Sequence, residues 1–212
     1  DPNARPGGGG HGHGHEAGNK GTMVGDQALT LNDFPKRSRE ALVTKLDART
    51  DADVEALLLV VSQVKLFRKF PRGMHRILAA IIDYHCVDPQ SPPVCVQGDF
   101  PDYFYVILSG ALSVKVNVPG VKAQVTVGVM TPGQIFGELA MIRNDRRAAT
   151  VVAKEPSELL RIHRDHFLEA GLQHHFLREL RAKLELLKQS GIFTNWPEKD
   201  VLGLAIISRL KS

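Results

Sequence analysis

Apolar residues change their period twice along the chain. Val54, Leu57, Leu58, Val61 and Val64 recur at helical intervals, which lines them up on one face. Thr50 and Asp53 precede them at capping-box spacing, with Asp in place of the usual Glu, and predict a helix beginning near Thr50. Leu66-Phe67-Arg68-Lys69-Phe70-Pro71 breaks that run. Pro71 is suited to opening the next helix, since the amide it lacks would have no partner in a first turn. Met74, Ile77, Leu78, Ile81 and Ile82 then form a second stripe. Both stripes read as core.

From His85 the period falls to two. Val94 and Val96, Tyr103 to Leu108, Leu112 to Val118, Val125 to Val129, Thr150 to Ala153 and Leu159 to Ile162 read as short strands. Gly110 and Pro119-Gly120 mark turns between them. Short strands with a turn about every ten residues predict a jelly-roll barrel. A helical period returns after Asp165. Phe167-Leu168 precede Gly171, a candidate hinge, and Leu172, Phe176, Leu177, Leu180, Leu184 and Leu187 make a long stripe. Asn195 and Glu198 repeat the capping-box spacing and restart a helix.

Composition narrows the class. The 212 residues are 43% hydrophobic and 24% charged, ordinary for a soluble globular protein. No apolar run reaches the roughly 18 residues that a membrane span needs. The net charge of +4 comes from lysines and arginines spread along the chain, so it describes a solvated surface rather than a nucleic-acid footprint. Cys86 and Cys95 make no disulfide framework and fit a reducing, cytoplasmic setting. Residues 1–26 hold the Gly/His-rich GGGGHGHGHEAG and read as disordered linker, with His11, His13 and His15 part of that low-complexity tract. Residues 27–49 read as further linker; Lys36-Arg37-Ser38-Arg39 lacks the usual basic spacing of a kinase pseudosubstrate. A chain that opens on Asp1 and closes on a helical pattern at Ser212 is expected to be a piece of something longer.

The most informative segment is Phe136-Gly137-Glu138-Leu139-Ala140, followed after a short interval by Arg147-Ala148-Ala149-Thr150. It resembles the phosphate-binding cassette of cyclic nucleotide-binding domains, in which FGELA precedes PRAAT at this spacing. Gln97-Gly98-Asp99, Tyr103-Phe104-Tyr105-Val106-Ile107 and Gly110 extend the resemblance over roughly residues 50–190. Two departures stand out: Arg146 replaces the usual Pro, and Pro101-Asp102 replaces a common Gly-Asp. The resemblance implies an α+β, mainly β fold, an eight-stranded jelly-roll β-barrel flanked by N-terminal and C-terminal helices. It implies a ligand site of Phe136, Gly137, Glu138, Leu139, Ala140, Arg147, Ala148, Ala149 and Thr150. A cyclic nucleotide carries one anionic phosphate and a free ribose 2′-hydroxyl. In this resemblance Arg147 forks onto the phosphate and Glu138 accepts from the hydroxyl. The short helix from Leu139 would turn its amides toward the same anion, and Gly137 would let backbone approach the ligand.

The tract from Leu187 onward resembles the approach to a second such domain in the regulatory subunits of cAMP-dependent protein kinase, which assigns 191–212 to its start. The implied function is a regulatory module, not an enzyme, needing no metal or cofactor, with cAMP or else cGMP as ligand and a protein kinase catalytic subunit or another regulated domain as partner. A degenerate domain serving as an interaction platform is the alternative. A cupin-type metalloenzyme would need ligands on several strands, and His163 and His166 have no such partners in earlier strands. A bacterial-type transcription factor would need a helix-turn-helix after the long helix. In the family, cGMP-selective sites carry Thr directly after the cassette Arg, where this chain has Ala148. Preference for cAMP is therefore expected, by about 0.5–1.5 kcal/mol for one absent hydrogen bond. Ala148→Thr is expected to move the ratio of cAMP to cGMP affinities toward cGMP in calorimetric titration.

Overall fold

The computed structural model describes residues 28–189. The readings made for 1–26 and 191–212 lie outside them. Four helices come first: α1 (Lys36–Val43), α2 (Asp51–Gln63), α3 (Lys65–Arg68) and α4 (Arg72–Ile81). Strands β1 (Asp83–Val87), β2 (Tyr103–Ser109), β3 (Leu112–Val116), β4 (Val125–Met130) and β5 (Ile135–Phe136) lead to a short helix, α5 (Glu138–Arg143). Strands β6 (Thr150–Ala153) and β7 (Ser157–His163) follow, then α6 (Arg164–Glu169) and α7 (Leu172–Gln189).

The strands form two antiparallel sheets, ordered β1-β7-β2-β5 and β4-β3-β6. The mixed α+β class stands as expected, but seven strands are present among the described residues rather than eight, and they do not close into one barrel. β1 and β5 were not among the strands read from the sequence, whereas a strand was expected around Val94 and Val96. There the chain makes a single bridge, Cys95 to Val151, at the edge of β6. Pro92 and Pro93 remove two amide donors just before it, and Gly98, at φ +92°, turns the chain just after it. Too few residues are left for a ladder.

β2 is the keel. Residues 104–108 are all buried because the strand has a core on each face. Phe104, Val106 and Leu108 face the helices, alongside Leu160 and Ile162 of β7. Tyr105 and Ile107 face the second sheet, where Leu112, Met130 and Val151 pack. This explains the continuous apolar run in a strand that alternates side chains between faces. Gly110, at φ +83°, takes the following turn, and a Cβ there would collide with the backbone of Pro156 and Ser157.

The helix predicted from Thr50 is α2, and its capping box is formed. Thr50 N donates to Asp53 Oδ2 at 2.9 Å, and Asp53 N donates to Thr50 Oγ1 at 3.3 Å. Pro71 opens α4 as expected. Leu57, Val61, Val64, Leu78 and Ile82 are buried, while Ile77 is exposed because the apolar stripe of α4 is wider than its contact with α2.

The segment read as linker at 27–49 is instead part of the folded core. Phe34, Ala41 and Leu42 are buried. Ser38 is buried as well and donates to Ala56 O at 2.7 Å, so this helical turn is not an extended pseudosubstrate. Arg49 holds the segment in place. Its Nε and Nη2 donate to Ala41 O and Leu42 O, at 3.1 and 3.2 Å, and its Nη1 donates to Ile82 O at 2.6 Å. One guanidinium thereby satisfies the open carbonyls at the C-terminal ends of both α1 and α4.

Arg49→Ala is expected to destabilise the fold by about 2–4 kcal/mol in urea unfolding, through loss of charge-assisted bonds at two helix ends. Arg49→Lys is expected to restore only part, since a point charge cannot reach both ends. A pH effect follows from the cap of α2. Hydrogen bonds from the Thr50 backbone and then its hydroxyl hold the Asp53 carboxyl below its ordinary value. The cap's contribution is then fully present above about pH 4 and fades as pH falls through the lowered native pKa. The stability gap between the wild type and Thr50→Ala is expected to close over that acid range.

Candidate functional site

The site is built where the end of β5, helix α5 and the start of β6 meet the turn at 97–102. Phe136 closes β5 and stacks on Tyr105, with ring centroids 4.7 Å apart. It is buried between the sheets, so its part is to anchor the cassette to β2 rather than to line a ligand surface. Gly137 follows at φ +90°, a conformation that favours glycine. The space above it is already taken, because a Cβ there would meet Arg147 Nη1 and Tyr103 O. Its lack of a side chain therefore makes room for the guanidinium, where the sequence had led us to expect room for a ligand.

Arg147 is the centre of the arrangement. Only 4% of it is exposed, so its charge has left water and needs partners. Nη1 donates to Gly137 O at 3.1 Å; Nη2 donates to Tyr103 O and, at 3.2 Å, to Asp102 Oδ1. The backbone is clipped as well: Arg147 N donates to Asp99 O, and Gly98 N donates to Arg147 O, both at 2.9 Å. Nε, also buried, has no partner. A buried cationic donor in that state is destabilising by about 1–3 kcal/mol until an acceptor arrives.

Arg146 points elsewhere. Its guanidinium lies over the exposed Phe100 ring, 4.1 Å from the centroid, and donates to Gly98 O at 2.8 Å. The two adjacent arginines thus have different surroundings, Arg147 buried within the cassette and Arg146 on the exposed turn. Glu138 opens α5 and is 5% exposed, a second buried charge in the same segment. α5 has six residues, less than two turns, so its dipole is a minor influence beside the guanidinium. Leu139 and Ala140 lie on α5, and Ala148 is exposed on the way to β6. Ala149 O accepts from Cys95 Sγ at 3.7 Å. Thr150 is buried, and its Oγ1 accepts from Gln97 N at 3.0 Å.

In the resemblance drawn from the cassette, an apolar side chain of the last helices covers the purine, and in the long stripe Leu172, Phe176 and Leu180 are the candidates for it. Leu172 and Phe176 are instead fully buried in the helical core, where Phe176 packs against Phe104 and Phe167 at 5.7 and 5.8 Å. Leu180 lines a groove of about 280 Å³ between α5 and α7, with Leu139, Ile142, Leu177 and Leu184. Asp102 and the Tyr103 carbonyl are partners of Arg147 that sequence reasoning did not assign. They sit some 45 positions away, and only the fold of β2 brings them near.

Cys86 and Cys95 are both free, and burial pushes the Cys95 thiol up from its ordinary value. Among the described residues no group of His, Cys, Asp and Glu could hold a metal, and no helix is long and apolar enough to cross a membrane.

Comparison with known proteins agrees with this geometry. Residues 90–174 match the family model of the cyclic nucleotide-binding domain. A cAMP-dependent protein kinase regulatory subunit of Pyricularia oryzae is 42% identical over 91 residues, covering 40% of this chain and 23% of the relative. One of Yarrowia lipolytica is 43% identical over 115 residues, covering 54% and 28%. The chain thus spans about a quarter of the length of these relatives. Among solved structures, the regulatory domain of Toxoplasma gondii PKA with cAMP is similar in fold, at 23% identity and a TM-score of 0.57 over 74% of this chain and 59% of that one. The regulatory subunit of a cAMP-independent protein kinase A from Trypanosoma cruzi, bound to guanosine, is similar at 19% identity and a TM-score of 0.52, over 65% and 50%. The buried arginine and glutamate thus stand in a segment of known kind: over residues 90–174 this chain carries a cyclic nucleotide-binding domain.

Proposed function

We propose that this chain is the sensing part of a signalling regulator, which binds a 3′,5′-cyclic nucleotide, cAMP in preference to cGMP, and does no chemistry on it. The observation that carries the reading is the buried, unpartnered Nε of Arg147. A phosphate oxygen is the acceptor it lacks, and Asp102 with the Gly137 and Tyr103 carbonyls already fixes the guanidinium plane. Glu138 takes the ribose 2′-hydroxyl, and Gly137, Leu139, Ala140, Ala148, Ala149 and Thr150 shape the rest of the pocket. No metal or cofactor has a part in this.

Binding is converted into motion at the groove between α5 and α7. Leu139 and Ile142 face Leu177, Leu180 and Leu184 there, so a shift of the cassette helix changes how α7 packs. Such a two-state element responds to differential affinity, with a coupling of about 1–3 kcal/mol. The names of the fungal relatives, regulatory subunits of cAMP-dependent protein kinase, support a protein kinase catalytic subunit as partner. The alternative is a domain that keeps the fold as an interaction platform without nucleotide. It is favoured by one observation, that both Nη groups of Arg147 are already satisfied within the protein.

Calorimetry and thermal melting separate the two. cAMP at 100 times its Kd is expected to stabilise the protein by about 2.7 kcal/mol; no shift with either cAMP or cGMP would leave the platform. Arg147→Lys keeps the charge but loses the fork, and is expected to weaken binding by about 1.5–3 kcal/mol. Arg146→Ala is expected to bind nearly as the wild type does. Equal losses from the two variants would mean that Arg147 is not the phosphate ligand.

A further inference from the structure

Thr150 Oγ1 accepts a second hydrogen bond, from outside the cassette. Gln124, the residue before β4, donates to it from Nε2 at 3.2 Å. Gln97, whose backbone N–H makes the other bond, has its own side chain engaged, with Oε1 accepting from Asn117 N at 2.7 Å. The β3–β4 hairpin is therefore tied to the far end of the cassette by two glutamines, of which Gln97 is half-buried and Gln124 is exposed. A side-chain amide carries two N–H groups and one carbonyl oxygen. With one N–H given to Thr150, Gln124 keeps the other N–H and Oε1 on an exposed residue.

The position of Gln124 fits a role toward the base. Thr150 lies three residues beyond Arg147, about 10 Å of extended chain. That separation suits a ligand with its phosphate at Arg147 and its purine at the other end. Ala148, between the two, has only a methyl group and can make no hydrogen bond to the base.

We propose that Gln124 reads the purine and makes the site selective for adenine, held in position by Thr150. This rests on the cyclic nucleotide reading above. One edge of adenine presents the N7 acceptor beside the N6 amino donor, and a glutamine amide complements both at once. The same edge of guanine presents two acceptors, N7 and O6, so the amide oxygen would face O6 with no proton between them. The selectivity comes from a hairpin residue that shares no sequence neighbourhood with the cassette.

Titration of the full chain with cAMP and cGMP tests this, with Gln124→Ala and Gln124→Arg beside the wild type. The wild type is expected to favour cAMP by roughly tenfold, the discrimination of one paired amide contact. Gln124→Ala is expected to lose roughly tenfold for cAMP and little for cGMP, which erases the preference. Gln124→Arg, which offers donors only, is expected to gain for cGMP. Melting of each variant without ligand shows whether it folds. A Gln124→Ala protein that folds and loses both nucleotides equally, or neither, overturns the proposal and leaves the cyclic nucleotide reading intact. A wild type that binds neither nucleotide overturns both.

Discussion

A guanidinium removed from water governs how the cassette is built. Arg147 cannot shed its charge, so oxygen atoms around it are arranged to accept its hydrogen bonds. Two backbone carbonyls, from Gly137 and Tyr103, and the rim carboxylate of Asp102 converge on it from separate elements. The carbonyl of Gly137 can approach because residue 137 has no side chain, and that of Tyr103 because β2 begins there. Gly98 and Asp99 hold the arginine's own backbone from the other side. Removing the Asp102 carboxylate would leave the buried charge without its counter-charge, which costs more than the contact itself contributes. The ion pair is thus weak grounds for stability and strong grounds for a fixed geometry.

What could be read from the sequence follows from which interactions are local. The capping box at Thr50 and the start of α4 at Pro71 involve neighbours in the chain, and both were found where their patterns put them. The run from Tyr103 to Leu108 was recognised as a strand, but its burial on both faces depends on helices and a second sheet that no local pattern specifies. The cassette was visible as an ordered set of residue types, which is why the register of Arg147 over Arg146 could be set by spacing. Its partner Asp102 and its neighbour Gln124 were not visible, because only the pairing of strands brings them there. The 27–49 segment failed for a different reason. Its apolar residues are interrupted by charges and keep no long stripe, so it reads as solvated, yet Arg49 and Ser38 bind carbonyls in ways that a count of polar residues cannot anticipate.

Tertiary packing also decided the fate of the long leucine stripe. Leu172 and Phe176 were suited to covering a ligand by hydrophobicity alone. The aromatic cluster of Phe70, Phe104, Phe167 and Phe176 claims that end of α7 for the core. The later turns of the helix, from Leu177 on, stay beside the groove. α7 is therefore pinned at its beginning and less committed further on, a division of labour along one amphipathic helix.

The stitching of the first residues to the sheet has a consequence for what counts as one folding unit. Leu29 N donates to Leu108 O at 2.8 Å, and Leu31 N donates to the Glu158 carboxylate. The stretch that matches the family begins only at residue 90. A fragment excised at that border would leave the helix-facing side of β2, with Phe104, Val106 and Leu108, open to water, an apolar face of the kind that drives aggregation. Homology marks out the part that meets the ligand, whereas autonomous folding needs the helices before it. A minimal soluble fragment has to begin ahead of Leu29.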